Sequence, residues 1–135
     1  MIKITNLTKR AVDTNFIVKT VQHVLIGEKA GTWDISICLT NCAKMKEFNR
    51  RFRKKNKPTD VLSFAGLEIK GNKKKLGQII ICPTEVKANA KKFSRSFQEE
   101  LKLVLVHSVL HLLGYEHEKT EKQAQKMRVR ELAYL

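Results

Sequence analysis

Three of the chain's four histidines fall in one short stretch, His107-Ser-Val-Leu-His111-Leu-Leu-Gly-Tyr-Glu-His117. His107 and His111 are four residues apart. On a helix that spacing puts two imidazoles on one face, about 5–6 Å apart at Cβ, where they can grip one metal ion. His117 cannot join them on a continuing helix, since ten further residues carry it about 15 Å along the axis. Gly114 removes the obstacle. Glycine just past a helix end adopts a left-handed backbone without steric penalty, so a stop there lets Tyr115, Glu116 and His117 fold back. Three protein ligands with a fourth position open to water make a catalytic zinc site rather than a structural one. The three-imidazole set favours one zinc ion or another late transition metal.

The same histidine spacing occurs in metzincin proteases, H-E-x-x-H-x-x-G-x-x-H. Their Glu takes the proton from the zinc-bound water. Here that position is Ser108, whose hydroxyl cannot serve as a base near neutral pH, and Glu116 on the turn is no positional substitute. Peptide hydrolysis is disfavoured, and no general base is evident.

A second constellation is basic. Arg50-Arg51-Phe52-Arg53-Lys54-Lys55-Asn56-Lys57 holds six positive charges in eight residues and leads straight into Pro58-Thr59-Asp60-Val61-Leu62-Ser63-Phe64, a rigid turn entering a buried strand. Such a block is often only a solvated face. Arginine, however, binds phosphate bidentately, and Lys73, Lys74, Lys75, Lys91, Lys92 and Arg95 add charge elsewhere. Tetrahedral phosphate beside a water-activating metal points to phosphodiester hydrolysis.

These groups need a scaffold. Ile2-Lys3-Ile4 alternates as a short strand, and Asp13 caps a helix carrying Phe16, Ile17, Thr20, Val21, Val24 and Leu25 that ends near Gly27. Trp33 to Leu39 is the clearest strand, and a helix from about Asn41 presents Met45, Phe48 and Phe52. Val61–Phe64 and Gln78–Cys82 read as strands of an antiparallel hairpin. The segment between them, with Gly66, Gly71, Asn72 and the three-lysine run Lys73-Lys74-Lys75, reads as a turn or loop. Pro83 suits a first helical position. Ser96-Phe-Gln-Glu99 is a capping box opening a helix to Leu113 that is apolar nearly all round, hence buried. Thr120-Glu-Lys-Gln123 opens the last helix. The order β-α-β-α-β-β-α-α-α predicts an α+β fold: a small mixed sheet of about four strands with packed helices, and the metal site on a buried helix in the C-terminal half.

With 135 residues, 42% of them hydrophobic, the chain makes one domain spanning 1–135 with a real core. A net charge of +14 attracts polyanions, nucleic acid first and anionic membrane surfaces second. No stretch approaches the ~20 apolar residues of a membrane span, and the first residues lack the apolar block of a secretory signal, so a cytosolic location is expected. Cys38, Cys42 and Cys82 form no C-x-x-C pair and read as small buried apolar residues. The alternative is that one of them is a fourth zinc ligand. His23 and Trp33 read as ordinary structural residues, and Tyr115 as packing over the metal turn.

The residues quoted resemble the YbeY family of bacterial endoribonucleases. Its histidine signature, H-G-x-L-H-L-x-G-Y-D-H, is met at His107, Leu110, His111, Leu112, Gly114, Tyr115 and His117, with Ser108 for Gly and Glu116 for Asp. An Arg shortly before P-T-D-V-L-S-F-P appears as Arg53 followed by Pro58 to Phe64, with Ala65 for the last Pro. G-D-I-x-I appears as Gly77-Gln78-Ile79-Ile80-Ile81. The resemblance implies zinc on His107, His111 and His117, and Arg53 as the phosphate-binding or transition-state residue. Arg50, Arg51, Lys54, Lys55 and Lys57 are then expected to hold RNA. It also implies single-stranded RNA as substrate, with action near the 3′ end of 16S ribosomal RNA, on the small subunit, and in ribosome quality control. The rival expectation is a ribosome-assembly RNA-binding factor with a structural metal; another metallohydrolase is the third.

Overall fold

The structure, a computed structural model, describes the backbone of residues 1–70 and 73–135 and the side chains of 1–66 and 74–135. The elements are β1 (Ile2–Asn6), α1 (Thr14–Gly27), β2 (Asp34–Leu39), α2 (Cys42–Arg53), β3 (Val61–Lys70), β4 (Lys73–Ile81), α3 (Pro83–Lys92), α4 (Phe97–Leu112) and α5 (Glu121–Tyr134). The expected order holds, and the fold is α+β.

The helix starts follow their side-chain caps. Asp13 accepts from the Phe16 N–H at 3.1 Å, and Asn41 from that of Lys44 at 2.8 Å. At α4 the capping box is closed in both directions, Glu99 N–H to Ser96 Oγ and Ser96 N–H to Glu99 Oε1, each at 3.0 Å. Each such bond satisfies a backbone donor that the helix itself leaves free.

One sheet of four strands runs in the order β1-β2-β4-β3. β1, β2 and β4 are parallel, and β3 returns antiparallel on β4 as an edge strand. The β1-α1-β2 segment is the crossover that parallel strands require. Alternation along β2 then sorts the layers. Ile35, Ile37 and Leu39 join Ile79 and Ile81 under α1 and α4, while Cys38 and Ile80 face Met45 of α2 on the other side. α4 lies against the sheet, α1, α3 and α5, which is why its sequence is apolar on nearly every side. Leu105, Val106, Val109 and Leu110 are fully buried. Each such side chain stabilises by about 1.5–3 kcal/mol, so the histidine-bearing helix is a firmly held platform.

The hairpin corrects one expectation. The segment after Phe64 is not all loop, because β3 and β4 stay paired as far as Lys70↔Lys73, with an irregularity between Ala65 and Glu68. Ladder bonds are made by the backbone, so a lysine-rich stretch pairs as well as an apolar one, and charge on an edge strand discourages pairing with other chains. The expected turn residues Gly71 and Asn72 lie outside the described residues.

The site is placed where strand ends meet. Val61, which opens β3, pairs with Ile81 at the end of β4, and the Cys82 N–H donates to Asp60 O at 2.9 Å. The turn at Pro58-Thr59-Asp60 is therefore pinned to the carboxyl end of β4, beside α4.

Candidate active site

α4 carries His107 and His111 one turn apart and ends at Leu112. The Gly114 N–H donates to His111 O at 3.0 Å and the Tyr115 N–H to Leu110 O at 3.1 Å. Gly114 has φ +104°, a backbone most residues avoid, and it reverses the chain. His117 returns with its ring centroid 4.9 Å from that of His107 and 6.0 Å from that of His111. The chain reversal expected from the glycine is the one observed.

Two of the three rings are oriented by protein partners. His107 Nδ1 lies 2.5 Å from Glu131 Oε1 on α5, and His111 Nδ1 lies 3.1 Å from the Tyr115 carbonyl. Carboxylate and carbonyl oxygens only accept, so in the neutral rings the proton sits on Nδ1 and Nε2 keeps its lone pair. This is the outer-partner arrangement that presents imidazole Nε2 to a metal. Tyr115 is held at its other end too, since its hydroxyl donates to Glu28 Oε1 at 2.6 Å, just past the end of α1. Glu28 also accepts from Arg130 and from the Tyr134 hydroxyl. Burial pushes the Glu28 carboxyl upward, but these donors and the Arg130 charge outweigh it and hold it below the ordinary glutamate range. The Tyr115 hydroxyl is raised, first by its bond to Glu28 and then by burial. The histidine turn is thus tied to α1 and α5.

A cleft of about 500 Å³ opens over the three histidines, and Arg53 and Lys55 line it with Asp60, Ser63, Glu116 and Glu118. Arg53 reaches it because α2 ends there. Lys54 takes a left-handed backbone, φ 56°, and closes the helix. Asn49, buried one turn earlier, donates from Nδ2 to Lys57 O at 2.8 Å and binds the loop back to the helix. Of the basic block Arg50–Lys57, only Arg53 and Lys55 are in the cleft lining. Arg50, Arg51, Lys54 and Lys57 stand exposed outside it.

The donor set suits zinc. With Zn–N of about 2.0–2.1 Å and tetrahedral angles, the centroids of two ligating rings stand roughly 5 Å apart, close to the two spacings observed. Among the described residues, no group of three or more His, Cys, Asp or Glu side chains is placed to hold a metal ion as it stands. His117 is 41% exposed on the turn, with Nε2 3.6 Å from Glu118 Oε1. The cysteines cannot complete this set. All three belong to the cluster with Met45, Leu62 and Ile80 on the α2 face, across the sheet from α4. Cys82 is buried, whereas Cys38 and Cys42 are only half-buried, because α2 covers that face incompletely.

Glu131, Glu28, Arg130 and Asn49 escaped sequence reasoning. Glu131 carried a faint signal. An acid in the last turn of α5, in a chain of +14, opposes the helix dipole. Nothing local marks the other three. His23 stacks edge-on to Tyr134 at 5.4 Å, and Trp33 is half-buried with Lys74 Nζ 5.4 Å from its ring centre, so both are structural as expected.

The chain is 39% identical over 124 residues to the endoribonuclease YbeY of Persephonella marina, covering 90% of this chain and 80% of that one. It is 37% identical over 122 residues to the endoribonuclease YbeY of Aquifex aeolicus, covering 90% and 81%. A solution structure of a Thermotoga maritima protein superposes with a TM-score of 0.69 at 29% identity, over 99% of this chain and 86% of that one. Since the family model described as endoribonuclease YbeY also matches residues 3–135, the chain belongs to the YbeY family.

Proposed function

We propose that this protein is a zinc-dependent, single-strand-specific endoribonuclease acting in 16S ribosomal RNA 3′-end maturation, in ribosome biogenesis and quality control, in the cytosol. One observation carries the reading: Arg53 enters the same cleft as His107, His111 and His117 from a different element of the fold. The three histidines would hold one zinc ion, which supplies Lewis-acid polarisation of a phosphoryl oxygen and activation of water at neutral pH. Glu131 and the Tyr115 carbonyl keep two rings in the ligating tautomer. The Arg53 guanidinium neutralises the charge growing on the phosphate oxygens, the kind of stabilisation worth about 10²–10³ in rate. Lys55 holds the strand in the same cleft. Asp60, Glu116 and Glu118 place carboxylates in its lining, where a proton from the attacking water can be received. The sequence alone offered no such acceptor.

Elemental analysis of the purified protein, then cleavage of a ribosomal RNA precursor with and without chelator, tests the reading. Metal at one equivalent and chelator-sensitive cleavage are expected. Undiminished cleavage by a His111→Ala protein shown to lack metal refutes the catalytic ion, and full activity in Arg53→Ala refutes that residue's role. One observation favours the second reading, a ribosome-assembly RNA-binding factor with a structural metal: four of the six cations in the basic block stand outside the cleft. Single-turnover cleavage by the metal-loaded protein, set against the metal-free form, separates the two.

A further inference from the structure

Phe52, in the last turn of α2, is 55% exposed. Burial does not account for a phenylalanine there, yet its ring is not loose. Phe64 of the edge strand β3 meets it edge-on at 5.0 Å, and Phe48, one turn earlier, lies tilted at 6.4 Å. Both supporting rings pack on the buried Met45–Leu62–Ile80–Cys82 cluster. An aromatic surface is therefore presented to solvent on a rigid backing. The residues that flank Phe52 in sequence carry charge of one sign. Arg51 lays its guanidinium over the ring, 5.6 Å from the centre, and Arg50, Lys54, Lys55 and Lys57 are exposed nearby in sequence. The next residue, Arg53, lines the histidine cleft.

A solvent-exposed aromatic ring set among cations is how proteins hold a single-stranded polynucleotide. Cations track the phosphates while a base stacks on the ring, and every base has a π-face to offer. An apolar protein partner fits poorly, because interface cores are depleted of charge and this ring cannot be covered without burying several cations. We propose that Phe52 is a base-stacking subsite, on which the base of a nucleotide next to the phosphate held at Arg53 lies flat. The inference rests on the reading of RNA as substrate and adds a residue that reads its strandedness. A base paired in a duplex is not free to lie on the ring, so Phe52 selects against double strands where the phosphate contacts do not.

The test is binding, measured with metal-free protein so that it does not depend on the zinc assignment. The probes are a short single-stranded RNA, the same RNA with one abasic nucleotide placed in turn at each position, and its duplex. Phe52→Leu should weaken single-strand binding roughly 5- to 150-fold, the range of base–aromatic stacking. Phe52→Trp should retain it and show indole quenching on binding. At one position the abasic RNA should bind the parent protein more weakly but Phe52→Leu no differently from intact RNA. The salt dependence should be unchanged in Phe52→Leu, whereas Arg53→Ala should lower its slope by about 0.7. Equal affinity of the parent and Phe52→Leu proteins, or an abasic penalty that persists in Phe52→Leu, overturns the stacking subsite while leaving the nuclease reading intact. Failure of the parent to bind single-stranded RNA at all overturns both.

Discussion

Glu131 offers the sharpest test of how the histidines are held. Its Oε1 lies 2.5 Å from His107 Nδ1, and it is the one carboxylate bonded to a ring nitrogen of the helical pair among the described residues. Losing an outer partner of this kind lowers metal affinity about 10–100-fold, or about 1.4–2.7 kcal/mol at 1.36 kcal/mol per decade. Glu131→Gln keeps an acceptor oxygen and the ring tautomer but drops the charge, so it should fall at the low end. Glu131→Leu removes the acceptor and should fall at the high end. Stability should barely move in either. The lost hydrogen bond is worth about 0.5–1.5 kcal/mol, and relief of an acid at the C-terminal end of α5 returns about 0.3–1 kcal/mol. Zinc competition against a chromophoric chelator, with thermal melts of the metal-free proteins, reads both quantities. If both variants bind zinc within about twofold of the parent, Glu131 does not present His107 to an ion and the outer-partner reasoning fails.

Other outcomes follow from the same geometry. Gly77→Ala should destabilise by about 1–3 kcal/mol in denaturant melts, because its Cβ would stand 2.3 Å from the backbone oxygen of Phe64; an unchanged midpoint refutes it. At Gly114 a Cβ meets nothing within 4 Å but φ is +104°, so Gly114→Ala should cost only about 1–2 kcal/mol of backbone strain. It should weaken zinc binding as well, by displacing His117. The Glu28 carboxyl is held below its ordinary value in the folded protein, so the unfolded chain takes up that proton first. Its stabilisation is full above about pH 4.3 and is lost as pH falls through the folded-state value. The melting temperatures of the parent and Glu28→Gln proteins should therefore converge in that acid range, and a constant gap contradicts this. Burial pushes the Cys82 thiol up to about 11, so iodoacetamide near pH 8 should leave Cys82 of the native protein unmodified. Peptide mapping that finds it alkylated as fast as in the denatured chain refutes the protection.

What lay open in the amino-acid order was whatever one element settles within itself. The four-residue spacing of His107 and His111, the stop at Gly114, the caps at Asp13, Asn41 and Ser96, and the alternation of Ile35, Ile37 and Leu39 are short-range facts. Periodicity and backbone preference express them over one or two turns, and the observed elements agree. The length of the β3–β4 hairpin was not of this kind. Pairing is a backbone property, and side chains such as Glu68 and Lys75 gave no apolar signal for it. Only the packed molecule decided that Arg53 would meet the histidines, that Glu131 of α5 would face His107 and Glu28 at the end of α1 would anchor Tyr115, and that the sheet would put every cysteine on the far side from the three histidines. Those juxtapositions depend on strand order, register and the way α4 is enclosed by three other helices. They are set by the burial of the whole core at once, and no local stretch of sequence carries them.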